Sequence, residues 1–242
     1  MSAKITSINY CPVKSVSFQS VENCKIKKNI GIIGDRIFAF AKDLDLEQAK
    51  LFEKSPAERK GKWNKVLTLK NSPALNKYNF IFKDEKLTLT FKDNEILSID
   101  INQSTEREAL SNKISELESS LKQPITLMKN DAFPFFDTSI SKKVDFVNSV
   151  SLLNFQSIND FEKKVGKKIE TSIFRGNICI DGLEPWKERE WIGKTIKINN
   201  VSFKVEKNIP RCVAINLKPK TDDNSFNLLQ LLKKNYNHFD MG

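Results

Sequence analysis

The chain has 242 residues, 39% of them hydrophobic and 29% charged, which suits one large or two small folded domains. Its formal net charge is +10, but the lysines are interleaved with acidic residues, so the sequence indicates a solvated basic surface and no nucleic-acid partner. No apolar run of about 18 residues occurs, which excludes a membrane-spanning helix and a membrane partner. The first residues lack an apolar leader and the cysteines are scattered, which favours the reducing cytoplasm.

The first hundred residues predict strands, because apolar and polar side chains alternate in them. This alternation marks residues 4–10 and 36–43, which read KITSINY and RIFAFAKD. Residues 79–101 predict a meander of strands joined by two turns of acidic and polar residues. The pattern indicates a smaller, strand-rich N-terminal domain over residues 1–103.

A helix is predicted over residues 105–122, as the connector that opens a second domain of residues 104–242. Thr105 and Glu108 have the spacing of a capping box, and leucine and isoleucine then recur on one helical face. Pro124 ends the pattern.

The second domain is predicted to contain more strands than helices. Helices are expected over residues 154–166 and 224–236, and Gly166 stands where a C-terminal cap belongs. Residues 172–182 predict a strand and residues 195–207 predict a hairpin. Because the strand–helix alternation of a parallel sheet is missing, the pattern favours a closed or half-closed antiparallel β-barrel. The fold class expected for the whole chain is mainly β (α+β), with a few helices.

Two N-terminal segments carry residue types that could contact a ligand. In YCPVKS, Lys14 offers a cation and Ser15 a hydroxyl group just after a proline. In GIIGDRIF, two glycines that permit close approach of a ligand precede Asp35 and Arg36. The alternatives are an exposed lysine at a strand end and a surface ion pair beside a turn.

Two C-terminal segments are also candidates. Arg175 lies within a predicted apolar strand, where its guanidinium could bind phosphate or pair with a carboxylate at the strand edge. Cys212 follows Arg211 and precedes a strand-like apolar run. A thiol beside a cation tends toward the thiolate, the form that ligates soft metals, whereas the alternative is an inert buried cysteine.

The other sulfur and aromatic residues are assigned packing roles. With no CxxC pair and with His238 as the single histidine, structural zinc is not expected. The cysteines expected to be small core or surface residues are Cys11, Cys24 and Cys179. The tryptophans expected to cover the barrel are Trp186 and Trp191. The residues expected to form either an aromatic cluster or a wall of the ligand entrance are Phe133, Phe135 and Phe136.

Five motifs occur in an order that is typical of one family. They are YCPVKS, GDRIF, FRGNICIDGLEPWKEREWIGK, PRCVAINLKPKT and HFDMG. Together they resemble MOSC-domain proteins with an N-terminal β-barrel partner domain, a family that includes the amidoxime-reducing component and the C-terminal part of molybdenum cofactor sulfurase. The resemblance covers nearly the whole chain.

The resemblance implies that the chain binds the molybdenum cofactor, molybdopterin, whose sulfur atoms hold the metal and whose tail carries a phosphate. It implies that Cys212 is the protein ligand to molybdenum and the catalytic residue. The cofactor contacts that it implies are Lys14, Ser15, Arg36, Asn148, Ser149, Arg175, Asn177 and Arg211.

The resemblance further implies a reductase that removes oxygen from N-hydroxylated small molecules. Because the sequence has no iron–sulfur or flavin motif, the electrons are expected from a separate reductase or ferredoxin-like protein. The alternative is a carrier of sulfur or of the cofactor, without turnover of its own. Ile215, Lys218 and Lys220 depart from the family pattern, which bears on the identity of the substrate.

Overall fold

Short strands linked by turns make up most of the regular structure. A computed structural model describes residues 3–16, 18–121, 124–136 and 148–242. The strands are β1 (Lys4–Tyr10), β2 (Gln19–Val21), β3 (Ile26–Lys27), β4 (Gly31–Ile32), β5 (Phe38–Lys42), β6 (Tyr78–Lys83), β7 (Lys86–Phe91), β8 (Asn94–Asp100), β9 (Ile125–Lys129), β10 (Leu152–Asn154), β11 (Ile178–Asp181), β12 (Thr195–Ile198) and β13 (Val201–Lys204). The helices are α1 (Leu46–Lys54), α2 (Ser104–Leu117), α3 (Phe155–Val165) and α4 (Leu228–Tyr236). The mainly β (α+β) class is confirmed.

The sheet that underlies the candidate site draws strands from both ends of the chain. Its order is β10-β11-β1-β2, and β1 pairs antiparallel with β11, with Ile8 opposite Ile178. This pairing places the end of β1, and the segment that follows it, beside the turn that enters β11. Residues near positions 10 and 176 are therefore neighbours in space.

The predicted antiparallel barrel is not observed. Among the described residues the strand pairings form five separate sheets, and none of them closes on itself. Strand β10 runs parallel to β11, because α3 supplies the crossover that a parallel pair requires. Asn154 caps the start of α3. Gly166 ends the helix with a φ of 66°, at the C-terminal cap position that the sequence predicted.

The first part of the chain contains the predicted meander. Strands β6, β7 and β8 pair in order, and β5 pairs antiparallel with β9. The helix predicted over residues 105–122 is shorter than expected, since α2 runs from Ser104 to Leu117. The predicted capping box is wrong because Thr105 lies inside the helix, and Glu106 instead accepts a hydrogen bond from the Asp100 amide at 2.6 Å.

The division at residues 103 and 104 stays a prediction. Two strand pairs, β1–β11 and β5–β9, form backbone hydrogen bonds across that boundary. The buried apolar residues of the described chain form three clusters, one that includes Phe38 and Phe80, one that includes Phe161 and Phe174, and one that includes Phe52 and Phe135. Within the described ranges, no helix combines the length and apolarity that a membrane crossing requires.

Candidate functional site

Three predicted cationic residues meet around the segment that follows β1. The Arg36 amide donates to the Cys11 carbonyl oxygen at 2.6 Å, and the Lys14 amide donates to the Phe38 carbonyl oxygen at 2.8 Å. Arg175 Nη2 donates to Cys11 Sγ at 3.2 Å. Lys14 thus belongs to this short segment, and Arg36 and Arg175, which are far from it in sequence, both contact Cys11. We name this group, together with Cys11, the cationic cluster.

Three of the predicted site residues share a rare backbone conformation. The φ angles of Ser15, Arg36 and Arg175 are 65°, 55° and 53°. Residues other than glycine seldom adopt positive φ, and such residues concentrate at functional sites, where the surrounding structure compensates for the strain. For Arg175 this corrects the sequence analysis, because the residue ends the 3₁₀ turn Thr171–Phe174 and does not lie within a strand.

Aromatic rings hold two of the cations in place. Lys14 is only 2% exposed, and its Nζ lies 5.4 Å from the centre of the Trp63 ring. The Arg36 guanidinium lies 5.0 Å from the centre of the Phe136 ring. Both separations fall in the range of cation–π attraction, which adds to the restriction of these side chains. Phe136 therefore lies against the cationic cluster, and Phe135 is buried beside Arg59.

A buried polar network lies beneath the cluster. Asp35, which is 1% exposed, accepts hydrogen bonds from the Cys11 amide at 2.8 Å and from Asn177 Nδ2 at 3.2 Å, and it pairs with Arg36 Nη1. Asn177 Nδ2 also donates to the Asn9 carbonyl oxygen, and its Oδ1 accepts from the amide and the hydroxyl of Ser151.

The hydrogen-bonding capacity of the Asn177 side chain is filled by these contacts. An amide side chain has two N–H donors and two acceptor lone pairs, and each is matched here by a protein group. Asn177 was predicted to contact a cofactor directly. That contact stays a prediction, while the observed contacts of Asn177 tie β1, the 34–36 turn and the segment before β10 together and link Asn177 to the cluster through Asp35.

Arg211 joins the C-terminal segment to the turn that carries Arg175. Its Nε donates to the Met241 carbonyl oxygen at 2.8 Å, its Nη2 contacts the same oxygen, and its Nη1 donates to the Phe174 carbonyl oxygen at 2.8 Å. Burial lowers the pKa of Arg211 to about 10, an effect that Cys212 and Asp240 oppose and Arg36 reinforces. The hydrogen bond of Arg211 to Phe174, the residue before Arg175, places the Cys212 segment next to the cationic cluster.

Cys212 is exposed and is one of four free cysteines. It has extended backbone angles, φ −117° and ψ 177°, and it precedes the 3₁₀ turn Val213–Asn216. The strand-like run expected after it is therefore wrong, and so is the alternative of a buried, inert thiol. Its neighbour Val213 is 48% exposed, and Phe239, whose carbonyl accepts from the Arg211 amide, is 42% exposed. Cys212 is thus accessible, and its neighbour Val213 is an exposed apolar residue.

Asn148 and Ser149 make their contacts at the turn between β3 and β4. The Asn148 amide donates to the Asn29 carbonyl oxygen at 3.0 Å, and its Nδ2 donates to the Ile30 carbonyl oxygen at 3.2 Å. Ser149 packs its carbonyl against Gly31. Two residues later, Ser151 binds Asn177, so this segment reaches the network beneath the cluster through the backbone.

Sequence reasoning missed three residues of the site. Asn9 and Ser151 carried no signal beyond their place in strands and loops, and Cys11 was assigned a packing role. Cys11 is buried as expected, but its sulfur also accepts a hydrogen bond from the Arg175 guanidinium. The proximity of Cys11 to Lys14 in the YCPVKS segment was the available signal.

The side chains of the site suit a metal ion that is already bound to most of its ligands before the protein binds it. In the ranges that the structure describes, no three side chains of the types His, Cys, Asp and Glu are grouped as metal ligands. One exposed thiol cannot hold a metal ion by itself, but it can complete the coordination of a soft metal already bound by sulfur. Cations next to it suit a ligand that is anionic.

Trp186 was expected to cover the barrel, and the structure shows different contacts for it. With no barrel to cover, Trp186 packs on Tyr236 at 4.4 Å between ring centres and donates from Nε1 to Asp160 at 2.8 Å. His238 lies against both rings and contacts Arg189 at 2.6 Å. This aromatic cluster supports the C-terminal strand-like segment, which ends with Met241 and Gly242.

Comparison with known proteins gives two matches. Residues 143–240 match the family model of the MOSC domain. A segment of 92 residues is 28% identical to mitochondrial amidoxime reducing component 2 of Bos taurus. This alignment covers 38% of the present chain and 27% of the bovine protein.

Proposed function

We propose that this protein, whose residues 143–240 match the family model of the MOSC domain, binds the molybdenum cofactor at the cationic cluster and Cys212. The MOSC family is associated with that cofactor. The observation that carries the proposal is the convergence of Lys14, Arg36 and Arg175 on one backbone segment, together with the hydrogen bond that ties Arg211, the residue before Cys212, to Phe174, the residue before Arg175.

Each residue of the site would make a different kind of contact with the cofactor, according to its side-chain chemistry. Guanidinium groups present paired N–H donors that match phosphate oxygens, so Arg36 and Arg175 would hold the phosphate and the anionic pterin complex. Lys14 would add a compact charge, and Ser15 a hydroxyl group whose position is set by its left-handed backbone. Arg211 would hold the turn before Cys212 in place through its carbonyl contacts.

Cys212 would be the protein ligand of the metal. A thiolate is the soft ligand that suits a metal already bound by sulfur, and the exposed position of Cys212 leaves its sulfur accessible.

We further propose that the protein is a reductase of N-hydroxylated small molecules, in line with the name of the bovine relative. When bound, the cofactor would supply a molybdenum centre able to exchange two electrons. In the overall reaction the N–O bond breaks, two electrons and two protons are consumed, and an N–H group and water form. The electrons would come from a separate donor, a reductase or ferredoxin-like protein, since the chain has no flavin or iron–sulfur motif.

The test is turnover by protein purified from a molybdenum-replete host. With a chemical or enzymatic electron donor, we expect reduction of a benzamidoxime to the amidine, followed by chromatography. Arg175→Ala is expected to lose molybdenum and activity together, whereas Lys168→Ala, which removes a charge from a 97% exposed side chain, keeps both. Molybdenum-loaded protein without turnover under any donor would contradict the reductase proposal.

A carrier of sulfur or of the cofactor is the second candidate function. The exposure of Cys212 favours it, because a thiol that passes sulfur to a partner must be accessible. Mass spectrometry of the intact protein separates the two candidates. A persulfide on Cys212 without bound molybdenum supports carriage, and bound molybdenum that disappears with Cys212→Ser supports the reductase.

A further inference from the structure

We infer that Asp35 is a positioning residue for the cofactor site: its buried carboxylate joins the segment before Lys14, the guanidinium of Arg36 and the strand that follows Arg175. The inference rests on the proposed function and assigns to it a residue that need not touch the cofactor.

The contacts of Asp35 divide between its two oxygens. Oδ1 accepts from the Cys11 amide at 2.8 Å, which fixes the start of the segment that carries Lys14 and Ser15. Oδ2 accepts from Asn177 Nδ2 at 3.2 Å and also receives Arg36 Nη1. One carboxylate therefore meets three donors from three separate parts of the chain.

The burial of Asp35 makes these contacts consequential. At 1% exposure, the carboxylate cannot exchange its partners for water, so each lost hydrogen bond leaves a buried group unsatisfied. Arg36 is held with φ at 55°, a conformation that surrounding contacts must maintain. Asp35 binds the side chain of Arg36, while the Cys11 carbonyl binds its amide.

An amide cannot replace this carboxylate. In Asp35→Asn, the side-chain oxygen must face the Cys11 amide, which directs the NH2 group toward Arg36 and Asn177. Both of those groups are donors, so donor would face donor. The cation of Arg36 would then lose its orienting partner at Asp35 while the rest of the cluster is unchanged in sequence.

The experiment compares wild type, Asp35→Asn and Asp160→Ala. Asp160 accepts hydrogen bonds from Trp186 and Tyr236 outside the cationic cluster, so its loss destabilises the domain without touching Asp35. Molybdenum retained during dialysis is followed by metal analysis, unfolding is followed by urea titration, and amide hydrogen exchange at Arg36 is followed in the cofactor-free proteins.

We expect Asp35→Asn to release molybdenum about 10–100-fold faster, the range typical of residues that orient metal-site groups. We also expect at least about 10-fold faster exchange at the Arg36 amide, because Arg36 loses the side-chain contact that helps to hold its left-handed backbone. Asp160→Ala is expected to be destabilised yet to keep wild-type retention. If Asp35→Asn does not fold, Asp35→Glu, which keeps the charge but lengthens the side chain, takes its place in each measurement.

The outcomes separate the inference from the proposed function. Wild-type retention in the Asp35 variant, unchanged Arg36 exchange, or an equal loss of molybdenum in Asp160→Ala would overturn the inference alone. Wild-type protein that never contains molybdenum would overturn the proposed function and the inference with it.

Discussion

Arg211 Nη1 donates a hydrogen bond to the Phe174 carbonyl oxygen at 2.8 Å, which connects the residue before Cys212 to the residue before Arg175. The thiol and one of the cations proposed to share a cofactor are thus linked through their sequence neighbours. The same guanidinium contacts the Met241 carbonyl oxygen, so the C-terminal segment also belongs to this link.

Arg211→Lys is expected to lower the free energy of unfolding by about 2 kcal/mol, because a lysine cannot reach both carbonyl oxygens with fixed, forked donors. Urea denaturation measures this loss. Lys220→Ala serves as control, since its ion pair with Asp93 is exposed and contributes at most about 1 kcal/mol. Equal losses in the two variants would contradict the structural role of Arg211.

Gly176→Ala is expected to destabilise the protein by about 1–3 kcal/mol, because the added methyl group would overlap Leu153. Leu153 is fully buried and has no free space into which to move. Thermal unfolding compares this variant with Leu153→Ala and with the double variant. Because Leu153→Ala removes the overlapping atoms, the loss of unfolding free energy in the double variant is expected to be smaller than the sum of the losses in the two single variants. Strict additivity would show that no such overlap exists.

The stability of the protein is expected to fall below about pH 6.5 through His238, its single histidine. Burial lowers the pKa of His238, and Arg189 lowers it further, while Asp240 opposes the shift. The unfolded chain therefore binds a proton at higher pH than the folded protein does. The stability present at neutral pH is lost as the pH falls from the unfolded pKa through the folded one.

His238→Gln tests this pH dependence. Urea unfolding at about pH 7.5 and about pH 5.0 gives the loss of stability on acidification for each protein, and the loss is expected to be larger for wild type. The carboxylates whose pKa values are lowered, such as Asp160, are shared by both proteins and cancel in the comparison. An equal loss in both proteins would contradict the role of His238.

Local patterns predicted much of the fold, and long-range pairings account for what they missed. Alternating apolar and polar side chains predicted strands β1 and β5 to β8, and Gly166 predicted the left-handed cap that ends α3. The β10–β11 pair has only a three-residue register and joins residues 26 apart, so no local pattern reveals it. That omission is why a barrel was expected.

The candidate site was predicted in its residue types but not in its organisation. Lys14, Arg36 and Arg175 are recognisable as cations in motifs, yet the left-handed backbone angles of Arg36 and Arg175 depend on contacts made by distant segments. The surface ion pair that was the alternative to a ligand contact at Asp35 and Arg36 is wrong for Asp35, because its carboxylate is buried against Cys11 and Asn177, next to strands β1 and β11. The exposure of Cys212 depends on a 3₁₀ turn that its apolar neighbours do not signal.

The central claim is that the sulfur of Cys212 holds molybdenum next to the cationic cluster. Its most direct test is the molybdenum content of wild type, Cys212→Ser and Cys24→Ser purified in parallel from a molybdenum-replete host. Cys24 is a partly exposed thiol outside the site, which makes it the matched control. We predict about one molybdenum per chain in wild type and Cys24→Ser and little in Cys212→Ser, because the substitution removes the proposed protein ligand. Molybdenum at the wild-type level in Cys212→Ser, or none in wild type, would contradict the claim.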